Sequence, residues 1–347
     1  MTYYDCSQLT QEIPWPQDRR EAVAPKHPKL AKLINRPPVT TLFRSINTVR
    51  RRRALRSLRD HIFHGTNYSI PAFPGPTIAT IHDLSVLKWP EFHPPDRVRY
   101  IEKAMKQTLS RADRLITDSE FTRREVAATL SWPLDRIDAI HLRVREQFRP
   151  RHEYEIENTL KRYSLRYQGY SLYSGTIEPR KNLSTLLDAY QLLPETDRKQ
   201  WPLVLCGDPG WHSQELLARI QKHQEQGWLH YLGYLSDEEL LAIMSGARVF
   251  VFPTRYEGFG LPVLEAMASG VPTACSTAES LIEVTNGAAV TFDALDAPKL
   301  AEVLSEMLED DAYRSKIRTA GLDRANDFSW RKCEEQTMQS YQRILEK

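Results

Sequence analysis

The chain has 347 residues, of which 41% are hydrophobic and 27% charged, with a formal net charge of +2. That length is more than one hydrophobic core usually serves, so two domains are expected. The near-neutral charge argues against a general nucleic-acid binder, and no apolar run approaches the roughly 20 residues of a membrane-spanning helix.

Four cysteines, Cys6, Cys206, Cys275 and Cys333, are scattered without a CxxC pair. That pattern speaks against a disulfide framework or a zinc site and for a reducing cytoplasm. The first 45 residues are rich in Pro, Arg and Lys with weak periodicity, and irregular or loosely packed structure is expected there. The segment "RSINTVRRRRALRSLR" (44–59) holds seven arginines above a rough apolar stripe of Ile46, Val49, Leu55, Leu58 and Ile62. Two readings stand. One is a surface helix with a core-facing stripe. The other is a basic face, centred on Arg50, Arg51, Arg52 and Arg53, that meets anionic lipid head groups, each cation adding ~1 kcal/mol.

From residue 60 short apolar strands alternate with helix-period segments. "HIFHG" (61–65), "TIATIHD" (77–83), "RLITDS" (114–119) and "DRIDAIHL" (135–142) read as strands. "DRVRYIEKAMKQTLSRA" (96–112) and "EFTRREVAATL" (120–130) read as helices. "QFRPRHEYEIENTL" (147–160) is charged and polar and reads as a linker. The alternation then restarts. Strands are predicted in "GYSLYSG" (169–175), "LVLCG" (203–207), "WLHYLG" (228–233), "RVFVFP" (248–253), "VPTACS" (271–276) and "AAVTF" (288–292). "LSTLLDAYQLL" (183–193) places Leu183, Leu186, Leu187 and Tyr190 on one helix face. Such alternation predicts parallel sheets covered on both faces, with ligands outside the carboxyl ends of the strands. Two such units with a linker near residue 150 make a cleft between domains.

"YEGFGLPVLEAMASG" (256–270) carries two glutamates, Glu257 and Glu265, around a strand-to-helix loop. Pro262 suits the first turn of a helix and Gly270 the position past its end. Gly258 and Gly260 allow close backbone approach to a ligand, and the amides of Gly260 and Leu261 would face an anion at the helix N-terminus. Carboxylates repel phosphate, so the two glutamates should hold hydroxyls instead. A sugar and a ribose joined by a diphosphate fit that arrangement. The plain alternative is an acidic first turn favoured by the helix dipole.

"FPTRYEGFGLPVLEAMASGVPTACS" resembles the E-x7-E signature of the retaining family 4 glycosyltransferases, which have the GT-B fold. The resemblance continues through "SGTIEPRKNLSTLLDAY", "LGYLSDEELLAIMSGARVFVFPT", "ESLIEV", "FSWRKCEEQTMQSY", "IFHGTNYSIP" and "TIHDLSVLKWPEFHP", over residues 60 to 345. It implies an α/β protein of two Rossmann-like domains facing across a cleft. Residues 1–149 would form the acceptor-side domain, 150–330 the nucleotide-sugar domain, and 331–347 a helix packing back on the first. The resemblance assigns Glu257 to the donor sugar hydroxyls and Glu265 to the ribose. It gives the backbone of Gly258, Phe259, Gly260 and Leu261, together with Gly175, to the sugar and diphosphate, and Arg180 and Lys181 to the diphosphate. Many members have Gly-Arg where Gly175-Thr176 stands, and Arg180 is offered as the replacement guanidinium. His82, at the carboxyl end of "TIATI", is expected beside the donor sugar. Ser119 and Arg123 resemble a stretch bordering the cleft, with Ser119 as a helix cap, and Glu283 is expected to be structural. Asn182 is expected to cap the helix after the Arg-Lys pair.

The resulting expectation is a retaining hexosyltransferase with no metal and no other cofactor, in which two cations and a helix dipole hold the leaving diphosphate. GDP-mannose is the first-choice donor, because "HDLS" with "FHP" looks most like bacterial mannosyltransferases of surface polysaccharide. The acceptor is a glycan or a lipid-linked glycan, reached from the cytoplasm or the inner face of the membrane. A UDP-sugar enzyme is the alternative within the fold. The family's opening strand, Gly-rich loop and helix are not recognised in this chain. An inactive nucleotide-sugar-binding remnant or partner subunit is therefore the alternative of another class.

Overall fold

The computed structural model describes Tyr3–Tyr4, Leu9–Thr10 and residues 55–346. Strands β1 (Tyr3–Tyr4) and β2 (Leu9–Thr10) pair antiparallel. The arginine run Arg50–Arg53, and the expectations about an opening strand and a membrane-facing helix, lie outside the described residues.

Four parallel strands make the first sheet: β3 (Phe63–Gly65), β4 (Thr77–Ile81), β5 (Arg114–Thr117) and β6 (Ile137–Ala139), adjacent in that order. Period-2 alternation divides its apolar residues between two faces. Ala79, Ile81, Leu115 and Ile137 pack with Ile101 and Met105 of the helix Pro95–Leu109 and Val126 of the helix Glu120–Leu130. Ile78, Ile116 and Ile140 point the other way and meet Ile344, Tyr341 and Cys333 of the C-terminal helix Trp330–Leu345. Both faces are thus covered, which is why these strands read as continuous apolar runs.

The second sheet has six parallel strands: β7 (Ser171–Ser174), β8 (Leu203–Cys206), β9 (Leu229–Tyr231), β10 (Val249–Phe252), β11 (Thr273–Ser276) and β12 (Val290–Phe292). Their spatial order is β12-β11-β10-β7-β8-β9. The chain builds outward from β7 to β9, returns to lay β10 on the other side of β7, and continues to β12. The loops after β7 and β10 therefore diverge from neighbouring strands, and that divergence opens a crevice at their carboxyl ends.

The chain leaves the first core at Ile140 and enters the second at Val144. The charged passage read as a linker is partly helical: Glu153–Arg162 forms a helix whose Glu155 carboxylate accepts from the His152 amide at 2.8 Å. Its Ile156 and Leu160 are buried in the second core. Two apolar residues four apart give too short a stripe to stand out among the charges around them, which is why the polar composition misleads.

Asp138 on β6 ties the C-terminal helix down. It accepts from Arg114 (2.5 and 2.8 Å) in its own domain and from Ser340 (2.6 Å) and Arg343 (2.5 Å) on the helix. Burial pushes the Asp138 carboxyl up, but the hydrogen bonds from Arg114 and Ser340 and the charge of Arg343 outweigh it and hold it below its usual value. A depressed carboxylate contributes stability above its unfolded pKa and loses it as pH falls through the folded one. Asp138→Asn should therefore lower the urea midpoint at pH 7 by the equivalent of about 3 kcal/mol, with the gap to the parent narrowing below about pH 4. An equal gap at pH 7 and pH 3 would count against this account.

Candidate active site

The crevice between β7 and β10 brings together the residues singled out from both segments. Past β7 the chain turns at Gly175 and makes a short 3-10 turn, Pro179–Lys181. Past β10 it runs through Thr254 to Gly260 and enters the helix Leu261–Ala268. Lys181 Nζ donates to Glu257 Oε1 at 2.5 Å, and Arg180 reaches Glu257 Oε2 at 3.3 Å. Arg180 also donates to the Tyr256 carbonyl (2.7 Å) and to Glu178 (2.8 Å). Thr254 Oγ1 completes the set by donating to Glu257 at 3.0 Å.

Two cations and two carboxylates are thus held together in a largely buried cluster. Burial pushes the Glu257 carboxyl up, yet Lys181 and Arg180 outweigh it and hold it below the usual range. Burial opposes the Arg180 charge as well, and Glu257 and Glu178 more than restore it. Glu257 and Arg180 thus both keep their charge, and a phosphate entering here would compete with Glu257 for the same cations.

Asn182 departs from its expected role. Its backbone is left-handed, at φ 58°, and its side-chain amide donates to the carbonyls of Pro253 and Ala294. It braces the turn after β7 against the β10 loop, while its Oδ1 accepts from the Thr185 hydroxyl rather than a helix amide.

The "EGFG" loop needs glycine at two positions for different reasons. Gly260 has φ 106° and opens the helix, so its backbone is left-handed where a side chain would be strained. Gly258 lies against the first domain: a Cβ there would sit 1.8 Å from the His82 carbonyl oxygen. The Gly258 carbonyl accepts from Ser119 Oγ (2.6 Å) and Thr122 Oγ1 (2.9 Å). Ser119 caps the helix Glu120–Leu130 and at the same time joins the two domains. Phe259 packs edge-on against Phe328 and close to His141. The amides of Gly260 and Leu261 stand ahead of the first intrahelical bond, Val263 N–H to Gly260 O at 3.1 Å.

Glu265, one turn further along, is mostly buried. Burial pushes its carboxyl up to about 7, with Arg145 opposing and Asp237 adding to the rise. Neither of those neighbours stood out in the sequence, because Arg145 comes from the crossing between domains and Asp237 from a different helix start.

His82 lies just past β4, with both nitrogens engaged: Nδ1 to Asp118 at 2.7 Å and Nε2 to the Thr66 carbonyl at 2.9 Å. A ring facing two acceptors is best satisfied as the imidazolium. The Asp118 hydrogen bond raises its pKa against the effect of burial. Next to it His64 is driven the other way, down to about 4, by burial and by the His82 charge. His64 bonds Thr80 and, across to the C-terminal helix, Tyr341, each at 2.8 Å. Asp118 was legible only as a strand-end position in "LITDS".

Other interdomain contacts surround this centre. Glu283 accepts from the amides of Glu120 and Phe121 at 2.8 Å each, so a second-domain carboxylate sits on a first-domain helix N-terminus. His141 meets the same carboxylate at 2.6 Å. The Tyr256 hydroxyl accepts from the Leu84 amide at 2.9 Å and donates to Glu125. Arg123 is engaged locally, by Glu120 and the carbonyls of Ile137 and Leu134.

Comparison with known proteins agrees with this arrangement. Residues 9–145 match the Glycosyltransferase Family 4 domain and residues 162–324 the Glycosyl transferases group 1 domain. O-antigen chain mannosyltransferase B of Escherichia coli is 39% identical over 331 residues, covering 95% of this chain and 87% of that one. The serotype-specific mannosyltransferase WbdA of Escherichia coli is 31% identical over 294 residues, covering 82% of this chain and 36% of its own length. Among solved structures, Anabaena HepE in complex with UDP superposes with a TM-score of 0.71 at 16% identity, covering 89% of this chain and 85% of that chain. WaaG, a glycosyltransferase involved in lipopolysaccharide biosynthesis, gives 0.69 at 16% identity over 84% and 81%. The chain belongs to the family 4 glycosyltransferases, is similar to bacterial mannosyltransferases, and has the two-domain GT-B fold.

Proposed function

We propose that the chain transfers mannose from GDP-mannose, with retention at the sugar carbon, to a glycan or lipid-linked acceptor. The observation that carries this reading is the Arg180–Lys181–Glu257 cluster in the crevice between β7 and β10. Negative charge grows on the diphosphate as the sugar bond breaks. A guanidinium and an ammonium already fixed in place stabilise that charge with little reorganisation. The helix Leu261–Ala268 adds its N-terminal dipole. When donor binds, its phosphates take over the cations and leave Glu257 to accept from sugar hydroxyls, while Glu265 accepts from the ribose. In a same-face displacement the departing phosphate oxygen takes the acceptor's proton as the new glycosidic bond forms. His82 and the Gly258 backbone wall the first-domain side of the centre.

Mannose as the sugar rests on the names of the similar enzymes, and calorimetry with GDP-mannose against UDP-glucose tests it. The basic run Arg50–Arg53 would suit an acceptor presented at an anionic membrane surface.

Because the cations act on a charge that is larger in the transition state, Lys181→Ala should lower turnover by about 100- to 1,000-fold and raise the donor KM much less. The variant should also melt at a lower temperature, since Glu257 loses its nearest partner. Parent-like turnover in a folded variant would place the phosphate clamp elsewhere. Activity is expected to persist in EDTA; complete loss that Mg²⁺ or Mn²⁺ restores would contradict a clamp built from side chains alone. The raised Glu265 carboxyl gives a third test. A folded-state pKa above the unfolded one makes the ionised group destabilising as pH rises through the interval from 4.5 to about 7. Glu265→Gln should therefore be more stable than the parent at pH 8, with the difference vanishing below about pH 4.5, yet bind GDP more weakly by about 1–3 kcal/mol. A stability difference that ignores pH, or unchanged GDP affinity, would undo the assignment.

A further inference from the structure

His93 is 5% exposed, and neither of its ring nitrogens has a hydrogen-bond partner. An imidazole always carries at least one N–H, and a buried donor left unpaired costs about 1–3 kcal/mol. The residue sits where the domains meet. It lies in "PEFHPP" (90–95) of the first domain, and its ring centroid is 6.0 Å from that of Trp211 in the second. Arg97, on the helix Pro95–Leu109, extends its guanidinium over the same indole at 4.8 Å. Trp211 nevertheless remains 42% exposed, so the ring has surface left to offer.

The loop that carries Trp211 follows β8 and is strapped to the donor side of the site. The Gly210 amide donates to the Ile177 carbonyl and the Ile177 amide to the Asp208 carbonyl, each at 2.9 Å. Residues 175–178 lead directly into Arg180. Burial, with the charges of Arg97 and Arg180, holds the His93 pKa below the usual histidine value against the opposing charges of Glu178 and Asp83. The ring is therefore neutral near pH 7, with one nitrogen donating and the other accepting.

That combination matches one class of ligand. A pyranose has an apolar C–H face that suits an indole and a rim of hydroxyls that both donate and accept. An acceptor sugar must also stand beside the donor's reacting carbon, and this cluster adjoins the loop that leads into the Arg180 turn, with His93 and Arg97 facing it from the first domain. We propose that Trp211, His93 and Arg97 form the acceptor subsite, with a sugar of the acceptor glycan packed on the Trp211 indole and its hydroxyls held by His93 and Arg97. Because the cluster bridges the domains, parting them uncovers the His93 nitrogens to an incoming sugar. The inference rests on the transferase reading above.

The test uses calorimetry on the full chain with octyl α-mannoside as the acceptor probe, in saturating GDP. The parent should bind both GDP and the probe. Trp211→Ala should weaken the probe at least about tenfold and leave GDP affinity unchanged. Trp211→Phe should keep most of the binding, and His93→Ala should lose about fivefold. In turnover assays the same variants should raise the acceptor KM with little change in the donor KM. Probe binding by Trp211→Ala equal to the parent's would overturn the assignment. So would a parent that binds GDP but not the mannoside, or a parallel loss of GDP affinity, which would mean that the cluster only braces the turn leading into Arg180. A parent that binds neither GDP nor GDP-mannose sinks the transferase reading itself and the subsite with it.

Discussion

Glu257 is a buried carboxylate held ionised by Lys181 and Arg180, and the crevice between β7 and β10 is built around that contact. An isolated carboxylate could not stay charged in that position, and two unpaired cations would repel each other and lose their hydration without compensation. Together they form a neutralised set that can be buried now and rearranged later. The set exists only because the order of strand addition reverses at β7, which lays β10 parallel beside it. Residues 76 positions apart in the chain meet there, while the strands that carry them are ordinary buried β-structure.

Around that cluster the domains touch through backbone as much as through side chains. The Gly258 carbonyl takes two first-domain hydroxyls, and Glu283 takes two first-domain amides. Each of these bonds uses a group that a helix N-terminus or a tight loop leaves unsatisfied. The glycine loop and the helix N-terminus thus join the two walls of the crevice. Substitutions at Ser119 or Thr122 therefore act on the seam between the domains and on the Gly258 loop at once.

Much of this was legible in the sequence because the strands are short, apolar and bounded by turn residues, and because period-2 and period-3.6 patterns seldom compete in such segments. "EFTRREVAATL" is the helix Glu120–Leu130, and the strands of both sheets fall within their predicted segments. The loop "EGFG" announced itself through its glycines and proline. What did not show was pairing at a distance. No local pattern says that Glu178 shares Arg180, that Asp118 and Thr66 clasp His82, or that Tyr341 closes on His64. Local rules also misled where tertiary contacts overrode them. Asn182 looked like a cap but serves as a brace, and the charged stretch before Arg162 hides a helix because only Ile156 and Leu160 mark its buried side.

The chain passes between domains twice, once near His141 and once near Phe328, and those two rings lie 5.7 Å apart, with Phe259 of the donor loop against both. Two strands of chain crossing side by side act as a pivot. Rotation about a line through them is soft, while sliding or twisting would pull one crossing against the other. Displacement in such a rotation grows with distance from the line. In such a rotation the contacts of the adjacent Gly258 would change little, whereas parts further out would sweep through larger arcs. The loop 257–260 is thereby mounted beside both crossings, where a turn of one domain against the other would displace it least.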